Sequence, residues 1–153
     1  MLERSCIGMH GLCMDASWMC VMHERSGIPS RSRPRAIIVD PAPADRASAA
    51  HWLTDFGYEV RQAADFRHAR MLLDPPPAAI VTALRLGAYN GFHLVIVARS
   101  AGQPVAAVVV TEHDDSVARA EAARLGIGYL VKPVTRDSLA GIIDDGLIGR
   151  VCV

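Results

Sequence analysis

Short apolar runs alternate with helix-like segments through most of this chain, and this alternation restricts the possible folds more than any other feature of the sequence. A run that is apolar at every position is typical of a strand buried on both faces, and helices between such strands imply parallel pairing. The sequence therefore predicts an α/β fold. The predicted strands are residues 36–39, 58–63, 78–84, 105–110 and 129–131.

The segments between these strands contain helix start and stop residues. Asp65 and Asp114 stand where a side chain can cap a helix, and Gly57 suits a left-handed C-terminal cap. The prolines at 75–77 end a helix, and Asp137 places a negative charge in the first turn of the last one. The predicted helices are residues 44–56, 66–73, 92–99, 115–125 and 135–148.

Five strand–helix units, with the first, third and fourth strands almost wholly apolar, are typical of a doubly wound, flavodoxin-like parallel sheet of order 2-1-3-4-5. The second strand mixes polar and apolar residues, so it is predicted to lie at an edge. Ligands of such sheets bind beyond the carboxyl ends of the strands. Those ends are Asp40, Ala83, Thr111 and Lys132, and we expect them to meet at one site.

The N-terminal segment differs in composition from the rest of the chain. Residues 1–35 contain five of the six methionines and three of the four cysteines, and residues 26–35 are rich in Gly, Pro, Ser and Arg. The length of 153 residues suits a single domain. We expect a flexible extension over residues 1–35, a folded domain over residues 36–148 and a C-terminal tail over residues 149–153.

Charge and hydropathy argue against several classes of partner. Sixteen basic residues balance sixteen acidic ones, so the chain lacks the positive excess on which most non-specific nucleic-acid binding depends. No apolar run approaches the roughly 20 residues of a membrane span, and the N-terminus does not resemble a signal peptide. We expect a cytoplasmic protein with reduced cysteines that binds neither nucleic acid nor membranes.

Five segments of the sequence resemble a known family. RAIIVD, GYEVRQAAD, IVTALRLGAYNGFHL, VVVTEHDD and GYLVKPVTRDSL occur in this order along the predicted strands. Together they resemble the CheY-like receiver domain of response regulators, the signalling module of two-component (phosphorelay) signal transduction. The resemblance extends from about Arg35 to Ile148. It implies the flavodoxin-like fold and a signalling role, not an enzyme.

The resemblance also implies that the phosphorylation chemistry of the family is lost. Phosphoryl transfer to an aspartate needs a carboxylate nucleophile and a divalent cation held by further carboxylates. The acceptor position of the family falls on Ala83, and its acidic pair falls on Asp40 and Pro41. Glu112, directly after Thr111, adds negative charge beside the phosphate position. We expect no catalytic residue, no cofactor and very weak Mg²⁺ binding.

Three positions that respond to phosphate in the family are retained. Thr111 matches the switch hydroxyl, Tyr129 matches the switch aromatic residue, and Lys132, the only lysine of the chain, matches the family's lysine. In the absence of a phosphate partner, Lys132 is predicted to pair with Asp40 or Glu112 as a structural charge.

A degenerate receiver of this kind would act by protein binding. We expect a stand-alone receiver whose partners are a histidine kinase, another receiver or an output protein. Receivers commonly bind targets through the face formed by the fourth helix, fifth strand and fifth helix, and the same face could form a homodimer. Its residues here are predicted to be Arg119, Tyr129, Arg136 and Asp137.

Two alternatives remain open from the sequence. A phosphorelay receiver could use a non-standard acceptor, either Thr82 or Asp40. A metal or redox sensor could use the N-terminal Cys/Met/His segment, in which Cys6, Cys13 and Cys20 are spaced seven apart. No metal site is predicted from the histidines of the domain, because their spacing brings no ligands together: His51, His68, His93 and His113.

Overall fold

The structure, a computed structural model, describes residues 32–151 of the chain. The strands are β1 (Arg35–Val39), β2 (Glu59–Ala63), β3 (Ala79–Ala83), β4 (Arg85–Leu86), β5 (Tyr89–Asn90), β6 (Ala106–Thr111) and β7 (Gly128–Val131). The helices are α1 (Pro43–Asp55), α2 (Phe66–Met71), α3 (Gly91–Arg99), α4 (Ser116–Leu125) and α5 (Arg136–Val151). No helix within these described residues is both long and apolar enough to cross a membrane.

Five of the strands form one parallel sheet in the order β2-β1-β3-β6-β7. This arrangement confirms the predicted doubly wound fold, because the five predicted strands correspond to β1, β2, β3, β6 and β7. The central strands β3 and β6 are buried at every position, whereas most residues of the edge strand β2 are exposed. Parallel pairing places all five carboxyl ends at the same edge of the sheet.

Apolar side chains cover both faces of the sheet. Ala36 and Ile38 of β1 pack on one face with residues of α1 and α5, whereas Ile37 and Val39 pack on the other face with residues of α2 and α3. A third cluster lies between β6, α3 and α4 and contains the fully buried Val109. Because successive side chains of a strand point to opposite faces, an apolar run such as β1 can serve both layers of helices.

An antiparallel hairpin between β3 and α3 does not appear in the sequence-based assignment. In this hairpin β4 pairs with β5, and Gly87 in the turn has a φ of 66°, in the left-handed region that glycine tolerates. Each strand has only two residues. A segment this short has no periodicity by which a strand can be recognised.

The caps of two helices differ from the predictions by a residue or two. The N-cap of α3 is Asn90, whose side chain accepts a hydrogen bond from the Phe92 N–H, and the helix starts at Gly91. The cap of α4 is Asp115 and not Asp114, because the Asp115 carboxylate accepts bonds from the backbone N–H groups of the first helical turn. The predicted cap of α2, Asp65, is confirmed.

The ends of the folded part also differ slightly from the predicted bounds. Arg35, predicted to belong to the extension, is the first residue of β1, and its side chain donates hydrogen bonds to the carbonyls of Leu72 and Pro75. The last helix, α5, continues to Val151, past its predicted end at residue 148. The metal or redox alternative concerns Cys6, Cys13 and Cys20, which lie outside the described residues.

Candidate functional site

A cavity of about 1000 Å³ lies at the carboxyl edge of the sheet, where the loops after β1, β3 and β6 converge. It has the position that ligand sites of doubly wound sheets occupy. The structure brings together in its walls all six positions that the sequence assigns to the phosphorylation site: Asp40, Pro41, Ala83, Thr111, Glu112 and Lys132.

Asp40 is the buried acid of this site. It directly follows β1 and is only 6% exposed. Its Oδ1 accepts a hydrogen bond from the Ala42 N–H at 2.8 Å, and its Oδ2 lies 3.1 Å from Lys132 Nζ. Burial disfavours an ionised carboxylate unless partners of this kind compensate for the lost water. Both carboxylate oxygens of Asp40 are therefore engaged within the protein.

The Lys132 ammonium pairs with two carboxylates, one directly after β1 and one in the first turn of α1. Besides Asp40, its Nζ contacts Asp45 Oδ2 at 2.7 Å. Burial of the ammonium opposes its charge, but the hydrogen bonds and charges of Asp45 and Asp40 together outweigh that effect and raise the pKa of Lys132 above its ordinary value. Lys132 is therefore charged at neutral pH, and its ion pairs join the end of β7 to the end of β1 and the start of α1.

The pairing of Lys132 agrees only in part with the prediction. Asp40 is one of its partners, but Glu112 is exposed and forms no ion pair among residues 32–151. The second partner, Asp45, was missed. It lies in the first turn of α1. An acid is common there because the helix dipole stabilises it, and its position close to the end of β1 was the available indication.

Ala83 and Thr82 end β3, but they face different surroundings. Ala83 lines the cavity. Thr82 is fully buried, and its hydroxyl donates a hydrogen bond to the Ala83 carbonyl oxygen at 3.1 Å. A Cβ added to Gly91 at the start of α3 would lie 3.1 Å from Thr82 Oγ1, so α3 covers this hydroxyl. Thr82 is thus not exposed to a phosphate donor in this structure.

Thr111 ends β6 and is also mostly buried. Its hydroxyl donates to the His113 carbonyl oxygen at 2.9 Å and accepts a longer bond from the His113 N–H at 3.4 Å. The backbone N–H of Lys132 donates to the Thr111 carbonyl, which joins the ends of β6 and β7. The hydroxyl therefore fixes the course of the loop after β6.

Tyr129 and Arg119 form a cluster with the same loop, on the side of β7. The Tyr129 hydroxyl accepts a hydrogen bond from the Asp115 N–H at 2.9 Å and lies 3.3 Å from Asp114 Oδ1. Arg119 donates to Asp114 Oδ1 at 2.7 Å, and its guanidinium lies 5.0 Å from the centre of the Tyr129 ring. The hydrogen bond from Arg119 is the main cause that lowers the pKa of Asp114.

The other two residues assigned to the interface, Arg136 and Asp137, lie at the start of α5. Arg136 Nη2 is 3.8 Å from Asp55 Oδ2, and its guanidinium lies 5.4 Å from the centre of the Phe56 ring. Arg136 thus contacts the end of α1, whereas Asp137 is exposed. The structure brings Tyr129 and Arg119 together and does not place Arg136 beside them.

The donor set at this edge does not fit the divalent cation that the fold family implies. Mg²⁺ requires several oxygen ligands around an open position, but the oxygens of Asp40 and Asp45 converge on the Lys132 ammonium. Among residues 32–151, no group of three or more acidic, histidine or cysteine side chains could hold a metal ion. The domain histidines are all exposed: His51, His68, His93 and His113.

Comparison with solved structures finds similar folds in several receivers. A response regulator receiver domain protein from Clostridium thermocellum shares 18% identity at a TM-score of 0.69, over 78% of this chain and 98% of that one. A CheY-like receiver domain protein from Methanospirillum hungatei shares 23% identity at a TM-score of 0.68, over 77% of this chain and 96% of that one. The chemotaxis response regulator CheY4 of Vibrio cholerae shares 26% identity at a TM-score of 0.63, over 74% of this chain and 98% of that one.

Comparison with protein families and with curated proteins completes these findings. No curated protein sequence matches the chain significantly. Residues 36–144 match the family described as response regulator receiver domain. Members of this family are signalling modules that interact with histidine kinases and output proteins. The matched segment contains all the strands, apart from the first residue of β1, and all the helices, apart from the end of α5. The chain therefore belongs to the response regulator receiver domain family.

Proposed function

We propose that this chain is a receiver that signals without accepting a phosphoryl group and that acts by binding other proteins. The observation that carries the proposal is that β3 ends in Ala83, which supplies no carboxylate to the cavity, beside a Lys132 already paired with Asp40 and Asp45. Phosphoryl transfer to an aspartate needs a free carboxylate nucleophile next to a cation that neutralises the phosphoryl oxygens. In this site the carboxylates and the ammonium neutralise one another.

The contacts of the site also argue against a non-standard acceptor. The side chain of Asp40 is 8% exposed, and its two carboxylate oxygens are engaged by the Ala42 N–H and Lys132. Thr82 is covered by α3 and bonded to a backbone carbonyl. Either residue would have to leave these partners before it could attack a phosphate donor. No catalytic residue and no cofactor are therefore part of this proposal.

Protein binding is the function that remains for a receiver with this site. We propose a histidine kinase, another receiver or an output protein as the partner, bound at the face of α4, β7 and α5. Tyr129 and Arg119 support this assignment, because Asp114 and Asp115 hold both side chains in place at the exposed start of α4. A surface held in one arrangement loses little conformational entropy on binding. The same face would form a homodimer.

Incubation with acetyl phosphate and Mg²⁺, followed by intact mass measurement, tests the proposal. The unaltered protein should show no gain in mass, because Ala83 supplies no carboxylate. A stoichiometric gain of one phosphate that hydroxylamine removes would contradict the proposal and identify an acyl phosphate on a carboxylate. A gain that hydroxylamine leaves in place would also contradict it and would point to a hydroxyl such as that of Thr82.

The double substitution Ala83→Asp with Pro41→Asp provides the matched control. Both positions line the cavity, so the new carboxylates would lie beside Asp40 and offer a nucleophile and a metal ligand. This variant should gain one hydroxylamine-labile phosphate, and Mg²⁺ should change the fluorescence of Trp52, which lies in a neighbouring cavity with Asp40 and Lys132. If this variant also stays unmodified, the missing carboxylates at positions 41 and 83 are not the reason that the protein accepts no phosphate.

A further inference from the structure

The hairpin of β4 and β5 and helix α2 enclose another hollow, of about 440 Å³, which shares no lining residue with the carboxyl-edge cavity. We call its wall the α2–hairpin surface. It is defined by Asp65, Phe66, Arg67, His68, Met71, Leu86 and Tyr89.

The α2–hairpin surface exposes apolar and aromatic side chains. Met71 is 77% exposed and Tyr89 is 45% exposed, and these are two of the four large hydrophobic residues that the described part of the chain leaves exposed. Neighbouring apolar side chains left in contact with water are a feature of protein-binding surfaces. Tyr and Met are also among the residue types enriched in interfaces.

Buried residues lie beneath this surface and support it. The Tyr89 ring stacks on Phe66, with ring centres 4.4 Å apart and 12° between the planes, and Phe66 itself is 4% exposed. Leu86 of the hairpin packs in the same apolar cluster as Phe66. The Gly91 N–H donates to the Leu84 carbonyl and closes the hairpin. A partner would thus bind a hollow that is already formed.

Two arginines without an ion pair lie on α2 at this hollow. Arg67 lines the hollow and Arg70 lies exposed on the same helix, and neither forms an ion pair within residues 32–151. The one acid in the wall, Asp65, accepts the His68 N–H as the cap of α2. Two arginines therefore stand against one carboxylate along α2 and its cap, although the whole chain is neutral.

We propose that the α2–hairpin surface binds an acidic peptide segment of a partner protein, with an apolar side chain of that segment in the hollow beside Met71 and Tyr89. Arg67 and Arg70 would pair with carboxylates of the segment next to this anchor. A folded or extended peptide suits the surface better than nucleic acid, because an overall charge of zero opposes phosphate-rich partners. The proposal goes beyond the function above and does not depend on the phosphorylation site.

Binding of a defined acidic peptide to the full chain tests this proposal. The probe is a fluorescent 12-residue peptide in which Glu alternates with Leu and Phe, and the comparison peptide carries Lys in place of every Glu. We expect saturable binding of the acidic peptide only, with ¹⁵N chemical shift changes confined to α2 and the hairpin. The double substitution Arg67→Glu with Arg70→Glu, or Met71→Ser alone, should weaken binding roughly tenfold or more, equivalent to about 1.4 kcal/mol.

Exposed residues elsewhere in the chain provide matched controls. Val117 on α4 is 76% exposed, so Val117→Ser removes a comparable apolar side chain, and Arg33→Glu reverses an exposed charge before β1. Both controls should bind the acidic peptide like the unaltered protein. The proposal is overturned by the absence of saturable binding, by equal weakening in the controls, by shifts outside this surface, by preference for single-stranded RNA, or by self-association that occupies the hollow.

Discussion

Lys132, directly after β7, pairs with Asp40 at the end of β1 and with Asp45 in the first turn of α1. The side chains of Lys132, Asp40 and Asp45 are 18%, 8% and 52% exposed, so the ion pairs lie between the buried and the solvated extremes. Exposed pairs contribute about 0 to 1 kcal/mol, whereas removal of one partner from a buried pair costs about 3 to 5 kcal/mol. Lys132 should therefore stabilise the domain measurably by holding the first turn of α1 near β1.

Replacement of Lys132 by Met tests this structural role. We expect a loss of about 1 to 3 kcal/mol in the free energy of unfolding at pH 7, because the buried Asp40 loses its cation. Since the pKa of Lys132 is raised in the folded protein, its contribution is complete below the pKa of about 10.4 in the unfolded chain and disappears as the pH rises through the folded value. Urea unfolding of both proteins between neutral and alkaline pH measures the difference.

Arg124→Met is the control for this comparison. It breaks a pair with Glu121 in which the side chains are 67% and 38% exposed, so its cost should stay within about 1 kcal/mol. A Lys132→Met protein as stable as the unaltered one at every pH would show that the ion pairs do not stabilise the fold. A difference that persists unchanged at alkaline pH would show that the lost packing, and not the charge, is responsible.

At the scale of elements, the close approach of α3 to β3 shapes the wall of the site. Gly91, the first residue of α3, has no room for a side chain, because an added Cβ would collide with the Ala83 carbonyl oxygen and would lie 3.0 Å from Thr82 Cγ2. This contact lets α3 cover Thr82 and sets the position of the hairpin that precedes the helix. The absence of a side chain at Gly91 thus affects both the end of β3 and the position of the α2–hairpin surface.

Two glycine-to-alanine substitutions in helices should have opposite effects. Gly91→Ala should destabilise the domain by about 1 to 3 kcal/mol, because backbone atoms must move to admit the methyl group. Gly141→Ala in α5 should stabilise it by about 0.5 to 1 kcal/mol, since nothing lies within 4 Å of the new Cβ and alanine favours the helix. Thermal and urea unfolding measure the stability of the two variants. A change in the same direction in both variants would contradict the expected opposite effects.

At the scale of the whole molecule, the described residues from Arg33 onward belong to one compact unit. The three apolar clusters that cover the faces of the sheet are built from residues between Ala36 and Ile143. Every strand of the parallel sheet therefore finds its packing partners within this unit.

Removal of residues 1–31 should leave a folded domain. A chain that starts at Ser32 keeps Arg35 and all of β1, so we expect its free energy of unfolding to change by less than about 1 kcal/mol. Deletion through Ile37 removes three of the five residues of β1, which lies inside the sheet, and should prevent folding. Circular dichroism and urea unfolding measure both chains, and a loss above about 2 kcal/mol on removing residues 1–31 would mean that this segment stabilises the domain.

The architecture of this domain could be predicted from local patterns in its sequence. The apolar runs that became β1, β3 and β6 predict a parallel sheet with these strands inside it, and the mixed second strand is predicted at an edge, as the observed order has it. Four positions of the carboxyl-edge cavity, Asp40, Ala83, Thr111 and Lys132, were predictable because each ends a predicted strand and parallel pairing brings the ends together. Pro41 and Glu112 were assigned to it through the resemblance to receiver domains.

The contacts between side chains within that architecture could not be predicted from the sequence. Asp45 in place of Glu112 beside Lys132, Arg136 against α1, and Tyr89 stacked on Phe66 each join residues from different elements. Such contacts depend on the rotation of each helix about its axis and on the path of each loop. These are set by the packing of the whole core, and the periodicity of a single segment carries no information about them.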